Sequence, residues 1–170
     1  MKTPRLFLGL AILALFSVCG CKPKPKEITS LQRKEAALLV SEAQFAISLH
    51  DYARAESGLA KAVAICPDDG EYWVNLGTMR IRLGQRDGAK TAYKHALAAF
   101  EEAAALNKKD VQPVFQQISV LVLLGRPDDA RALLAKLAAR LPEDREVRNY
   151  LERKQLEAIM ADPQFREISL

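Results

Sequence analysis

Side chains of matching size return along this chain at intervals that a single helix or a sheet would not impose. Ala89, Tyr93 and Ala96 are matched 34 positions earlier by Ala55, Leu59 and Ala62, and Leu76-Gly77 by Glu42-Ala43. A third set, Ala130, Leu134 and Leu137, follows 41 positions later, preceded by Val114, Gln117-Ile118, Leu121 and Gly125. Pro67 and Pro142 close the first and third sets. A unit of this length, with apolar positions at i and i+3/i+4, suits two helices that cannot bury their apolar faces alone. Stacked copies share one core: the small residues let helices approach, and the large ones fill the space between neighbours. No segment alternates with period two for long enough to suggest a sheet, so the expected fold class is all-α.

The ends of several helices can be read as well. Thr29 and Gln32 have the spacing of a capping box, and no proline interrupts the chain between Ser30 and about Leu49, so one helix is expected there. The interval of 41 exceeds 34 by about two helical turns, which keeps an apolar stripe in phase. Ala89, Tyr93, Ala96, Phe100 and Ala104 do continue one face. A long helix from about Gly88 to Leu106 therefore overhangs its neighbours, and Asn107-Lys108-Lys109-Asp110 forms the loop after it. A last helix over 143–160, with Val147, Tyr150, Leu151 and Ala158 on one side, would cap the stack. Asp162-Pro163 ends it, leaving Phe165 and Ile168 to fold back.

Trp73-x2-Leu76-Gly77, followed by Ala89-x3-Tyr93-x2-Ala96, resembles the tetratricopeptide repeat; Arg80 stands where that pattern has an aromatic residue. The resemblance implies a solenoid of three helical hairpins over about 36–69, 70–110 and 111–142 with a C-terminal capping helix, inside a domain spanning 29–170. Trp73 is then a packing residue. In this family the first helix of each hairpin lines a concave groove that holds protein partners as a peptide or helix. Counted from Trp73, the groove stripes are Ala37, Ser41, Gln44 and Ser48; Glu71, Asn75, Thr78 and Arg82; and Gln112, Gln116, Ser119 and Leu123. Gln44, Asn75, Thr78, Arg82, Gln116 and Ser119 are the expected partner-binding residues, since amides and hydroxyls suit an extended or helical peptide. The Lys/Asn clamp that some members close on a terminal carboxylate is missing. The other reading of these stripes is a merely solvated face.

Lys2 and Arg5 precede an uncharged stretch, Leu6 to Gly20, shorter than the ~20 residues needed to span a bilayer. Its end, Val18-Cys19-Gly20-Cys21, resembles the lipobox of bacterial lipoproteins. That likeness implies a signal peptide over 1–20 and a lipid on Cys21; an ordinary signal peptide cut nearby is the alternative. Lys22-Pro23-Lys24-Pro25-Lys26 continues as a stiff polyproline-type tether over 21–28. The expected location is the bacterial envelope, lipid-anchored, on the outer membrane facing the periplasm. Lipoproteins of this kind serve pilus and secretion systems, so a scaffold or assembly factor for an envelope complex is expected. The alternative is a non-catalytic subunit that positions a cell-wall enzyme.

Catalytic chemistry has little to work with. His50 and His95 lie far apart, neither at a metal-ligand spacing from Cys or another His. There is no glycine-rich phosphate loop and no Gly-x-Ser-x-Gly turn. No catalytic residue, metal, cofactor or small-molecule substrate is assigned. The 25 Lys+Arg against 21 Asp+Glu leave a net charge of +4 that is not gathered on one helix, so nucleic acid is not an expected partner. Asp68-Asp69 reads as a turn or helix cap, and Cys66, before Pro67, as a small buried apolar residue.

Overall fold

A computed structural model of the chain describes residues 27–170. The leader, Cys21 and the Lys-Pro run through Lys26 lie outside the described residues. Within them every regular element is a helix: α1 Ser30–Ser48, α2 Tyr52–Ile65, α3 Gly70–Arg82, α4 Arg86–Leu106, α5 Gln112–Leu123, α6 Pro127–Arg140, α7 Arg145–Glu152, α8 Gln155–Ala161 and α9 Pro163–Glu167. α1 packs on α2, α3 on α4 and α5 on α6, and these pairs join through α2 with α3 and α4 with α5.

The turns inside the three pairs are copies of one another. Asp51 N donates to Ala46 O at 2.9 Å, Gln85 N to Arg80 O at 2.7 Å and Arg126 N to Leu121 O at 2.8 Å. One residue earlier, His50, Gly84 and Gly125 N donate to Ile47, Ile81 and Val122 O, each at 2.9 Å. This double bond pattern closes a helix through one left-handed residue, here at φ 59°, 75° and 67°. Glycine takes that conformation without penalty and His50 does not. The turns between pairs repeat too. Asp69, Asp110 and Asp144 N donate to Cys66, Asn107 and Leu141 O, and the three carboxylates accept from N–H groups opening the next helix.

α1 begins under the expected box: the Thr29 hydroxyl accepts from Gln32 N at 3.2 Å, while the Gln32 side chain accepts from Thr29 N at 3.0 Å. α4 has 21 residues and overhangs as anticipated, although it starts at Arg86 rather than Gly88. Where Gly77 passes α4, an added Cβ would collide with the Tyr93 ring, which explains a glycine in mid-helix. Gly70 lies under Phe100 in the same way. Arg80, in place of an aromatic residue, reaches sideways: Nε donates to Glu56 Oε1 at 3.0 Å and Nη1 to Gly88 O at 3.2 Å, tying α3 to α2 and α4. Cys66 is buried, and burial pushes its thiol pKa up, lowering the thiolate fraction.

The expected single capping helix over 143–160 is instead two. Lys154 breaks it at φ 48°, its N–H donating to Leu151 O at 3.0 Å, and α8 returns along α7. The reason lies in Leu156. On a continuous helix it would point roughly opposite to Val147. Folding back lets it bury against Ile118, Leu121, Ala130 and Leu134 while Val147 stays buried on Val114 and Leu137. The C-terminal end is thus a shortened fourth hairpin.

Candidate partner-binding groove

The third hairpin and this short fourth one enclose a slot of about 470 Å³. One wall is α5, carrying Gln112, Gln116 and Ser119; the other carries Glu146, Asn149 and Arg153. Helical spacing brings the α5 residues to one side, as the counted stripe required. Gln112 Nε2 donates to Glu146 Oε2 at 2.7 Å across the mouth. Phe115 and Tyr150 also line the slot and stack with centroids 4.4 Å apart and planes 10° apart. The Tyr150 hydroxyl is buried and has no hydrogen-bond partner among the described residues. Burial, with the charge of Glu157 adding to it, pushes its pKa up to about 12. The walls offer amides, a hydroxyl, one carboxylate and one guanidinium, which can donate to and accept from a peptide backbone.

The central hairpin is arranged differently. Tyr93, fully buried, donates from its hydroxyl to Ile168 O at 2.7 Å, and Leu170 N donates to Leu123 O at 2.9 Å. Phe165, Ile168 and Leu170 pack on the cluster of Ala89, Tyr93, Ala96, Phe100, Val120 and Leu123. The expected fold-back of Phe165 and Ile168 therefore occurs, and it lands beside Thr78. Burial raises the Tyr93 pKa, while a hydrogen bond with Thr78 works against the shift. Leu123, counted into an open stripe, is 1% exposed beneath this segment. Segment 162–170 thus covers Tyr93 and Leu123, where the expected stripe passes from α3 to α5.

The six expected groove residues consequently do not form one continuous surface. Gln116 and Ser119 share the slot. Thr78, half-buried, donates to Val74 O at 3.0 Å and neighbours the segment-covered Tyr93. Arg82 sits over the Tyr52 ring, 5.4 Å from its centroid, so its charge is engaged on the first hairpin. Asn75 is half-buried, and Gln44 is exposed on α1. Trp73 packs between the clusters of the first two hairpins, donates to Pro67 O at 2.9 Å and stacks on His95 at 4.5 Å. His50 lies in its turn.

The second wall of the slot escaped sequence reasoning because Glu146, Asn149 and Arg153 belong to a hairpin that was taken for a straight helix. Three acidic cap positions at the repeat interval, Asp110 and Asp144 among them, were the available signal. Among the described residues no group of three His, Cys, Asp or Glu side chains could hold a metal, and no helix is long and apolar enough to cross a membrane. Compared with known protein families and with curated proteins, the chain matches none.

Proposed function

We propose that this chain is a tetratricopeptide-type lipoprotein, anchored through Cys21 on the periplasmic side of the envelope, that binds a protein partner as a scaffold or assembly factor for an envelope complex of the pilus or secretion kind. The reading of the fold rests on three hairpin turns with the same bonds at intervals of 34 and 41 residues, superimposed on the Trp73-Leu76-Gly77 pattern. The reading of the site rests on one observation. The α5 stripe of Gln112, Gln116 and Ser119 faces a second polar wall across a slot of about 470 Å³, whose amides, hydroxyl and charges suit the backbone of a peptide segment.

A photo-crosslinking residue at Gln116, in the full-length chain inside cells that make it, tests the site. A discrete protein adduct should form at Gln116 and not at Lys94, which is exposed on α4. Equal labelling at both positions, or none at either, rejects the slot. The anchor is tested separately: Cys21→Ala should abolish palmitate labelling and release the chain from the membrane fraction, and unchanged labelling rejects the lipid assignment.

A further inference from the structure

The outer face of α1 is bare. Leu31 is 73% exposed, Leu38 61%, Phe45 60% and Leu49 60%; at 3.6 residues per turn they fall within about 40° of one line along the helix. Only two other large apolar side chains are exposed among the described residues, Leu106 and Leu151, and they stand apart on α4 and α7. A stripe of four such side chains makes an apolar patch of roughly a few hundred Å², a size that on a monomer is often functional.

The same face joins hairpins inside the chain. In the repeat register, Leu38, Phe45 and Leu49 correspond to Tyr72, Met79 and Leu83 on α3, and to Pro113, Val120 and Leu124 on α5. Met79 is buried in the cluster made with α1 and α2, and Val120 in the cluster made with α4. α1 carries this stacking face with no hairpin ahead of it among the described residues.

We propose that this stripe pairs two copies of the chain, α1 against α1 in parallel. Among the described residues the other end offers Leu151 as its one exposed large apolar side chain, so the surface that matches the stripe on a second molecule is the same stripe, as a two-fold contact requires. Leu31, Leu38 and Phe45 are seven residues apart, the spacing that keeps one seam facing a parallel partner. The flanking charges select the direction. Lys34 lies on one side of the stripe and Glu35 and Glu42 on the other, all exposed. Parallel packing sets the Lys34 side of one copy against the Glu35 and Glu42 side of its partner, whereas antiparallel packing sets glutamates against glutamates. Two patches of a few hundred Å² each, with the flanking charged side chains, bury an area of the order of the ~1,000 Å² that a specific interface should clear.

The test uses the full-length chain as isolated from cells. Single substitutions Leu31→Cys, Leu38→Cys and Phe45→Cys are made at exposed positions, and Lys94→Cys on α4 serves as control. Mild oxidation should give a disulfide-linked dimer from each of the three and none from Lys94→Cys above the wild-type background, which measures any contribution of Cys19, Cys21 and the buried Cys66. Adding Leu49→Glu to Leu38→Cys should abolish the dimer band while helical circular dichroism is retained. A Leu38→Cys band no stronger than that of Lys94→Cys overturns the pairing and leaves the stripe to another protein or to residues 1–26. A dimer from Leu38→Cys alone overturns the parallel arrangement.

Discussion

The two ends of the stack are finished in opposite ways. At the C-terminal end, the third hairpin is covered by α7, α8 and segment 162–170, and the outward residues of α7 are mostly charged, Arg145, Glu146, Arg148 and Glu152, with Asn149 and Leu151 beside them. At the N-terminal end, α1 presents Leu31, Leu38, Phe45 and Leu49 to solvent. A terminal repeat normally needs a polar outer face to remain soluble. Among the described residues one end of the stack is thus faced mainly with charge and the other with apolar side chains, the contrast on which the proposed pairing rests. It also bears on the proposed site: segment 162–170 packs over Tyr93 and Leu123, while Gln116 and Ser119 line the open slot beside α7.

The sharpest way to break this contrast is to remove one leucine from each end. Leu156 is 1% exposed in the core beneath α8, and Leu156→Ala should cost ~2–5 kcal/mol by opening a cavity. Leu38→Ala should move stability by no more than ~0.5 kcal/mol at protein concentrations too low for pairing. Urea denaturation of both variants measures the difference. Equal losses in dilute solution would mean that the α1 face is already covered within the chain.

The hairpin turns give a second, smaller contrast. Gly125→Ala forces a side chain into φ 67° and sets its Cβ 3.2 Å from Leu170 O, so it should cost ~1–2 kcal/mol. The equivalent position at the open end already holds a side chain, and His50→Gly should relieve the strain there and gain up to ~1 kcal/mol. Thermal melts of the pair should shift in opposite directions. A destabilised His50→Gly would show that the imidazole contributes more, for instance through its edge contact with Tyr52 at 6.1 Å, than the backbone loses.

Which of these features could be read from residues alone follows from their range. The Thr29 cap, the length of α4 and the close approach at Gly77 depend on spacings within or between neighbouring helices, and periodicity carries them. The break at Lys154 does not, because Val147, Tyr150 and Leu151 suit a straight helix, and only the burial of Leu156 against α5 and α6 favours folding back. Nor does the covering of the expected stripe, where Tyr93 meets Ile168 across 75 positions of sequence. The stripe of Leu31, Leu38 and Phe45 is a further case. Periodicity marks an apolar face without saying whether the chain covers it, and Leu38, Phe45 and Leu49 share their register with residues that are covered further along.

The smallest expected effect belongs to the closed end, where the contrast can be sharpened by pH. The Tyr150 hydroxyl is buried without a hydrogen-bond partner among the described residues, a state that burial of an apolar ring would avoid. Tyr150→Phe should therefore leave stability near neutral pH unchanged or raise it by up to ~1 kcal/mol, keeping the stack on Phe115. The ionised form is disfavoured in the fold, with a pKa of about 12 against an ordinary 10.0. Its contribution to stability is accordingly intact below pH 10 and is lost as pH rises from 10 toward 12, where the unfolded chain ionises first. The variant lacks this group, so its loss of stability over that window should be shallower than the wild type's; Tyr93, also raised, accounts for part of what remains. Denaturation midpoints at a series of pH values from 8 to about 11 measure both slopes. Parallel slopes would mean that the hydroxyl stays solvated in the folded chain, and that the short fourth hairpin closes its end less tightly than the burial of Leu156 implies.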